Sequence, residues 1–211
     1  MTAVDAVVFV VDDDRETADW LASLLGRVGL GVAWFGSPEV FLNTYKPTCP
    51  ACLVMDIRFP GMSGLDLLAR LRERGLRLPA IVLSANSDVA MAVRAMQCGA
   101  TDFLDKSHLE PQRLIESVLA AIARDSEYAE RRHAGLAFNR RLAALTPRER
   151  EVMDLLIDGK TNKMIAFDLG LSPKTVETHR TKVFQKMQVR SLVELTRTVL
   201  SQQLADRRDL N

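Results

Sequence analysis

At 211 residues, with 47% hydrophobic and 26% charged residues, the chain has the composition of an ordinary globular protein of one or two domains. It is too apolar for a disordered chain, has no run of about 18 apolar residues fit to span a membrane, and opens on an apolar stretch without a basic flank, which predicts no signal peptide. Three cysteines, an odd number, argue against a disulfide framework and predict a reduced, cytosolic protein.

The net charge of +1 becomes informative when divided. Residues 1–123 carry 11 Lys and Arg against 15 Asp and Glu, a charge of −4. Residues 124–145 carry +2 and residues 146–211 carry +3. An acidic first part beside a mildly basic second part suggests an anionic site in one and a polyanion partner for the other.

In chain order, Ala6–Val11, Leu30–Phe35, Cys52–Met55, Ala80–Leu83 and Thr101–Leu104 are short apolar runs bounded by Gly, Pro or Asp. They read as strands buried on both faces, the second and fifth more weakly. Helical spacing appears between them: Ala18, Leu21, Leu25 and Val28; Leu65, Leu68 and Leu71; Val89, Ala92, Val93 and Met96; Leu114, Val118 and Ile122. Ser37-Pro38 and Ser63 are caps, and Pro111 places the start of the last of these helices near Glu110. Alternating strands and helices predict an α/β, flavodoxin-like, doubly wound five-stranded parallel sheet over residues 1–123.

Residues 124–145, rich in Arg, Glu and Ala, read as a mobile helical linker extending that last helix. Residues 146–211 are all-α. Thr146-Pro147-Arg148-Glu149 is a capping box, Gly159 ends that helix, and Thr161 opens a second through Leu169. Gly170-Leu171 turns, Ser172-Pro173 starts a third with Val176, His179, Val183 and Met187 on one side, and a fourth follows Ser191. The short turn before a strongly capped helix suits a helix-turn-helix DNA reader, with a dimerisation bundle as the rival.

Three carboxylates converge in this scheme. Asp12 and Asp13 end the first strand and Asp56 the third, neighbours at the switch point of such a sheet. Clustered carboxylates repel unless a hard divalent cation such as Mg²⁺ neutralises them, although strand-end aspartates also cap turns, as Asp14 should. Ser84 and Lys106, ending the fourth and following the fifth strand, could bind the oxygens of a phosphorylated Asp56.

The stretches VVDDD, MDIRFPGMSG, VLSAN and DFLDKS, in this order and spacing, resemble the receiver domain of bacterial two-component response regulators. The resemblance implies that Asp56 is the phosphoacceptor and that Asp12, Asp13, Asp56 and the backbone carbonyl of Arg58 bind Mg²⁺. It further implies that Ser84, Phe103 and Lys106 form the switch. Val89, Val93 and Met96 are candidates for a dimer face used on phosphorylation. The only chemistry implied is the domain's own phosphorylation and dephosphorylation. Ser107 stands where the family usually has Pro, which predicts a less firmly fixed Lys106. Ser84 replaces the commoner Thr, and Arg58 and Asn86 fall at positions that tune dephosphorylation.

The segment TPREREVMDLLIDGKTNKMIAFDLGLSPKTVETHRTKVFQKMQVRSLVEL resembles the LuxR-type helix-turn-helix, and the whole chain the FixJ/NarL type of response regulator. That resemblance implies a cytoplasmic transcriptional regulator without a membrane role. Its partners would be a histidine kinase, promoter DNA, RNA polymerase and a second copy of itself. On the third C-terminal helix, Lys174, Glu177, Thr178, Thr181 and Lys182 should face the major groove; Lys163 and Arg190 are phosphate-contact candidates. His179 is either a buried structural histidine or a phosphate ligand. Glu177 either reads a cytosine amino group or pairs within its helix.

Three rivals are weaker. An aspartate-nucleophile phosphatase would carry a second Asp where Arg58 stands. A ligand-sensing LuxR-type regulator would need an apolar pocket instead of an acidic strand edge. A receiver that signals without phosphate finds support only in Ser107. Cys49-Pro50-Ala51-Cys52 lacks the second ligand pair of a zinc site and precedes a strand, so it reads as the start of buried structure.

Overall fold

The computed structural model describes residues 6–47, 50–85 and 88–209, and side chains through residue 204. Cys49 of the CxxC pair and Asn86 lie outside the described residues. The chain divides into two compact units, residues 1–129 and 130–211.

The first unit alternates strand and helix: β1 (Val7–Val11), α1 (Arg15–Gly26), β2 (Gly31–Phe35), α2 (Pro38–Thr44), β3 (Ala51–Asp56), α3 (Gly64–Glu73), β4 (Ala80–Ser84), α4 (Val89–Gln97), β5 (Asp102–Asp105) and α5 (Pro111–Ala143), which runs on into the second unit. All strand pairs are parallel, in the order β2-β1-β3-β4-β5. β1, β3 and β4 are buried along nearly their whole length. The edge strands β2 and β5 are only partly covered, correcting the expectation that all five are buried on both faces. An edge strand has one unpaired side, and its side chains meet fewer neighbours.

Each face of the sheet has its own core. Phe9, Phe41, Leu53, Met55, Leu67 and Val82 pack on one. Val10, Leu21, Leu25, Val54, Ile81 and Leu114 pack on the other. Two helical stripes depart from expectation. Val28 falls beyond α1 and is exposed, and on α4 only Ala95 is buried, leaving Val89, Val93 and Met96 outward. At the N-terminal end of β3, the buried Asp125 carboxylate of α5 accepts the Ala51 backbone N–H at 2.9 Å. The nearby Cys52 thiol is pushed up to about 12, by burial first and by Asp125 second, so it is not a reactive thiolate.

The second unit comprises the end of α5 with α6 (Pro147–Ile157), α7 (Asn162–Leu169), α8 (Pro173–Met187) and α9 (Leu192–Asp209). Thr146 and Glu149 form the expected capping box. Glu149 is buried and also accepts from Lys186 Nζ of α8 at 2.6 Å. The Lys186 hydrogen bond, with help from the Thr146 N–H, holds its carboxyl at about 2. Gly170 and Gln188 end α7 and α8 in the left-handed conformation, at φ of 64° and 58°. Left-handed backbone is natural for glycine and costly for glutamine.

Candidate phosphoacceptor site and DNA-binding face

Val11 pairs in register with Met55, so the next residues, Asp12 and the α3-directed end of β3 at Asp56, stand side by side at the strand C-terminal edge. Ser84 ends β4 opposite Asp105, and Lys106 follows at the start of a one-turn 3₁₀ segment, Lys106–His108. The Lys106 ammonium spans the two carboxylates, 2.8 Å from Asp12 Oδ2 and 2.6 Å from Asp56 Oδ2. Asp56 Oδ1 accepts the backbone N–H groups of Ile57 and Arg58. Burial pushes the Asp12 carboxyl up, and the hydrogen bond from Lys106 pulls it back only in part. Burial also penalises the Lys106 ammonium, but its bonds to Asp12 and Asp56 outweigh that and raise it above the ordinary lysine range.

Ser107 follows this lysine in the 3₁₀ turn. Its backbone N–H donates to Asp105 Oδ1 at 2.8 Å, a bond proline could not make, and closes the turn that aims Lys106 inward. Asp14 caps α1 as expected, accepting from Glu16 and Thr17 N–H and from the Thr17 hydroxyl at 2.6 Å. Ser84 is buried at the same edge, and Phe103 is half-buried against the core that contains Met55 and Val82.

The sequence-predicted metal trio is not gathered as such. Asp13 is exposed, Lys106 fills the junction between Asp12 and Asp56, and among the described residues no three His, Cys, Asp or Glu side chains converge as a metal cluster. The Lys106 ammonium balances the charge of the two neighbouring carboxylates. The donor chemistry of Asp12, Asp13, Asp56 and the Arg58 carbonyl is oxygen only, which suits a hard divalent ion.

One feature of the site was hidden in the sequence. Gly64, first residue of α3, donates its N–H to the Ile57 carbonyl at 2.8 Å. A Cβ there would lie 2.2 Å from the Asp56 carbonyl oxygen and 2.8 Å from Met55 Cε. Glycine lets the helix close onto the strand end that presents Asp56. The SG dipeptide was legible as a cap, but its contact with Asp56 was not.

In the second unit, α7 and α8 meet through the Gly170-Leu171 turn. Val176, Val183 and Met187 are buried, while Lys174, Glu177, Thr178, Thr181 and Lys182 are all exposed, on the predicted outer side of α8. Lys163 and Arg190 are exposed as well. Glu177 takes the intrahelical option, pairing with Lys174 at 3.2 Å. His179 is half-buried, with Nδ1 covered and without a hydrogen-bond partner. Among the described residues, no helix is long and apolar enough to cross a membrane.

Comparison with known proteins agrees with both halves. The response regulator receiver domain model matches residues 8–119, and that of the bacterial regulatory proteins of the luxR family matches residues 143–199. The chain is 42% identical to the transcriptional regulatory protein FixJ of Azorhizobium caulinodans, over 92% of this chain and 91% of that protein. It is 40% identical to nodulation protein W of Bradyrhizobium diazoefficiens, over 91% and 84%. Among solved structures, that of the response regulator StyR superposes with a TM-score of 0.86 at 36% identity, covering 94% of this chain and all of that one. With receiver and luxR-family models both matched and these relatives aligned along nearly its whole length, the chain belongs to the response regulators that act as transcriptional regulators.

Proposed function

We propose that Asp56 accepts a phosphoryl group from a partner histidine kinase and that the phosphorylated chain dimerises and binds promoter DNA through α8. The observation that carries this reading is the Lys106 ammonium spanning Asp12 and Asp56 at the strand edge. An Asp56 carboxylate oxygen attacks phosphorus, the donor's P–N bond breaks, and the imidazole leaves, giving an acyl phosphate. The Ile57 and Arg58 N–H groups orient the carboxylate, and Lys106 and Ser84 are placed to meet phosphoryl oxygens. Asp12, Asp13, Asp56 and the Arg58 carbonyl would hold Mg²⁺, which supplies charge neutralisation for the transfer.

Phosphorylation adds a charge of about −1.5 to −2 at Asp56. Ser84 and Lys106 turn to the new oxygens, Phe103 moves inward, and the α4 side bearing Val89, Val93 and Met96 becomes the dimer face. Residues 1–123 act as receiver, 124–145 as linker and 146–211 as DNA reader. Lys174, Thr178, Thr181 and Lys182 enter the groove, with Lys163 and Arg190 on phosphates. The Lys174–Glu177 pair opens for Glu177 to reach a base. A domain of charge +3 binds singly with little force, so two copies on paired half-sites provide the affinity. RNA polymerase is the downstream partner.

The test is an acyl-phosphate donor with Mg²⁺, followed by a gel shift on selected DNA at low and high salt. Wild type should gain phosphate, dimerise and bind more tightly, and Asp56→Asn should do none of these. Equal labelling of Asp56→Asn sinks the phosphoacceptor assignment. Tighter binding by a phosphorylated monomer sinks the dimer step.

A further inference from the structure

The turn that carries Asp12 and Asp13 is gripped from outside the acidic cluster. The Asp12 N–H donates to the Phe35 carbonyl at 3.1 Å, and the Asp12 carbonyl accepts from the indole Nε1 of Trp34 at 2.8 Å. Both partners sit at the end of β2. The Arg15 guanidinium lies over the same indole, 4.5 Å from the ring centroid, and is itself paired with Asp19 at 2.9 Å. Gly36 leaves the ring its seat, since a Cβ there would lie 3.3 Å from Trp34 Cζ2. The Asp12 side chain adds a third hold, accepting the Asp14 N–H at 3.0 Å. Main chain and side chain of Asp12 are thus both committed before any ligand arrives.

We propose that Trp34 is a positioning residue for the acidic pair. A hydrogen bond to the Asp12 carbonyl fixes the peptide plane between Asp12 and Asp13. That plane sets the direction in which the exposed Asp13 carboxylate leaves the turn, and so the preorganisation of the oxygen set for a divalent cation. Arg15, stacked on the indole, keeps the ring against the turn. An aromatic residue serving only to cover an edge strand would need the ring but not the N–H. The inference rests on the reading of Asp12, Asp13 and Asp56 as the Mg²⁺-binding carboxylates.

The experiment uses the full chain with Trp20→Phe, which leaves Trp34 as the remaining tryptophan of two. Its indole is then replaced by the benzothiophene isostere, which keeps ring and stack but lacks the donor; Trp34→Phe is the second variant. Mg²⁺ affinity is read from the rise of melting temperature with Mg²⁺ concentration, and phosphorylation by an acyl-phosphate donor is followed separately. Half-saturating Mg²⁺ should rise about three- to tenfold in both variants. The phosphorylation rate at saturating Mg²⁺ should stay close to that of the parent, and the melting point without Mg²⁺ should fall by only the few degrees that one lost hydrogen bond costs. Unchanged half-saturation in the isostere overturns the proposal, as does a loss of rate that saturating Mg²⁺ does not restore. A parent chain without any Mg²⁺ response overturns the metal-site reading along with it, whereas a responsive parent and an indifferent isostere overturn the role of Trp34 alone.

Discussion

Replacing Gly64 by alanine tests whether the close approach of α3 to β3 positions Asp56, the proposed phosphoacceptor. The added Cβ would sit 2.2 Å from the Asp56 carbonyl oxygen, with Met55 Cε at 2.8 Å and the Ile57 Cα at 3.0 Å. Methionine can swing aside; the carbonyl cannot, and it must retreat by about 1 Å to reach an ordinary contact. Overpacking of this kind costs about 1–3 kcal/mol, offset in small part by the lower chain entropy of unfolded alanine, about 0.4–1 kcal/mol. The net loss of about 1–2 kcal/mol corresponds to a fall of about 5–10 °C in the receiver's melting temperature. The effect on chemistry should be larger, because the displaced peptide is that of Asp56 itself, and misplacing a reacting group by about 1 Å can cost about a hundredfold in rate. Phosphorylation by an acyl-phosphate donor, followed by intact-mass spectrometry, should therefore slow by one to two orders of magnitude. Gly26→Ala, at a helix end with open space around its Cβ, is the matched control and should be neutral. A Gly64→Ala protein that melts and is phosphorylated like wild type would refute the reasoning.

Lys106→Met leaves the nearly covered Asp12 and Asp56 carboxylates without their cation. It should destabilise the receiver by about 2 kcal/mol, and Mg²⁺ should raise the variant's melting point more than the wild type's in the same titration. Glu149→Gln removes the charge that Lys186 and the Thr146 N–H hold. With a folded value of about 2 against an ordinary 4.5, the stabilisation is complete above about pH 5 and lost as pH falls toward 2. Discounted for the water that reaches Lys186, it amounts to about 2 kcal/mol at neutral pH. The variant's acid melting curve should therefore be flatter than wild type's over that window. Gln188→Gly relieves a left-handed residue at the end of α8 and should raise the stability of the second unit by about 0.5–1 kcal/mol in a denaturant melt.

Much of this was legible because the signals are local. Apolar runs place β1, β3 and β4, Ser63, Thr146 and Ser172 cap their helices, and strand ends bring Asp12 and Asp56 to one edge. What stayed hidden depends on distances between remote segments. Lys186 reaches Glu149 across 37 positions, and Trp34 reaches Asp12 across 22. The periodicity of α4 was real, but period alone does not say which side meets the core; Ala95 is its one buried residue, with Met91 packed partly against the same core. Lys106 was expected at the acidic edge, but its bridging of Asp12 and Asp56 depends on distances between segments 50 and 94 positions apart.

The Asp125–Ala51 hydrogen bond ties the helix that leaves the first unit to the opposite end of the strand bearing Asp56. The amide of Ala51 is therefore satisfied by a side chain from α5, so its protection depends on that helix holding its register. Hydrogen exchange at this one backbone position works as a gauge of whether α5 is in place. Slow exchange means that α5 is seated on β3, and fast exchange means that the two have parted even where the rest of the sheet stays intact.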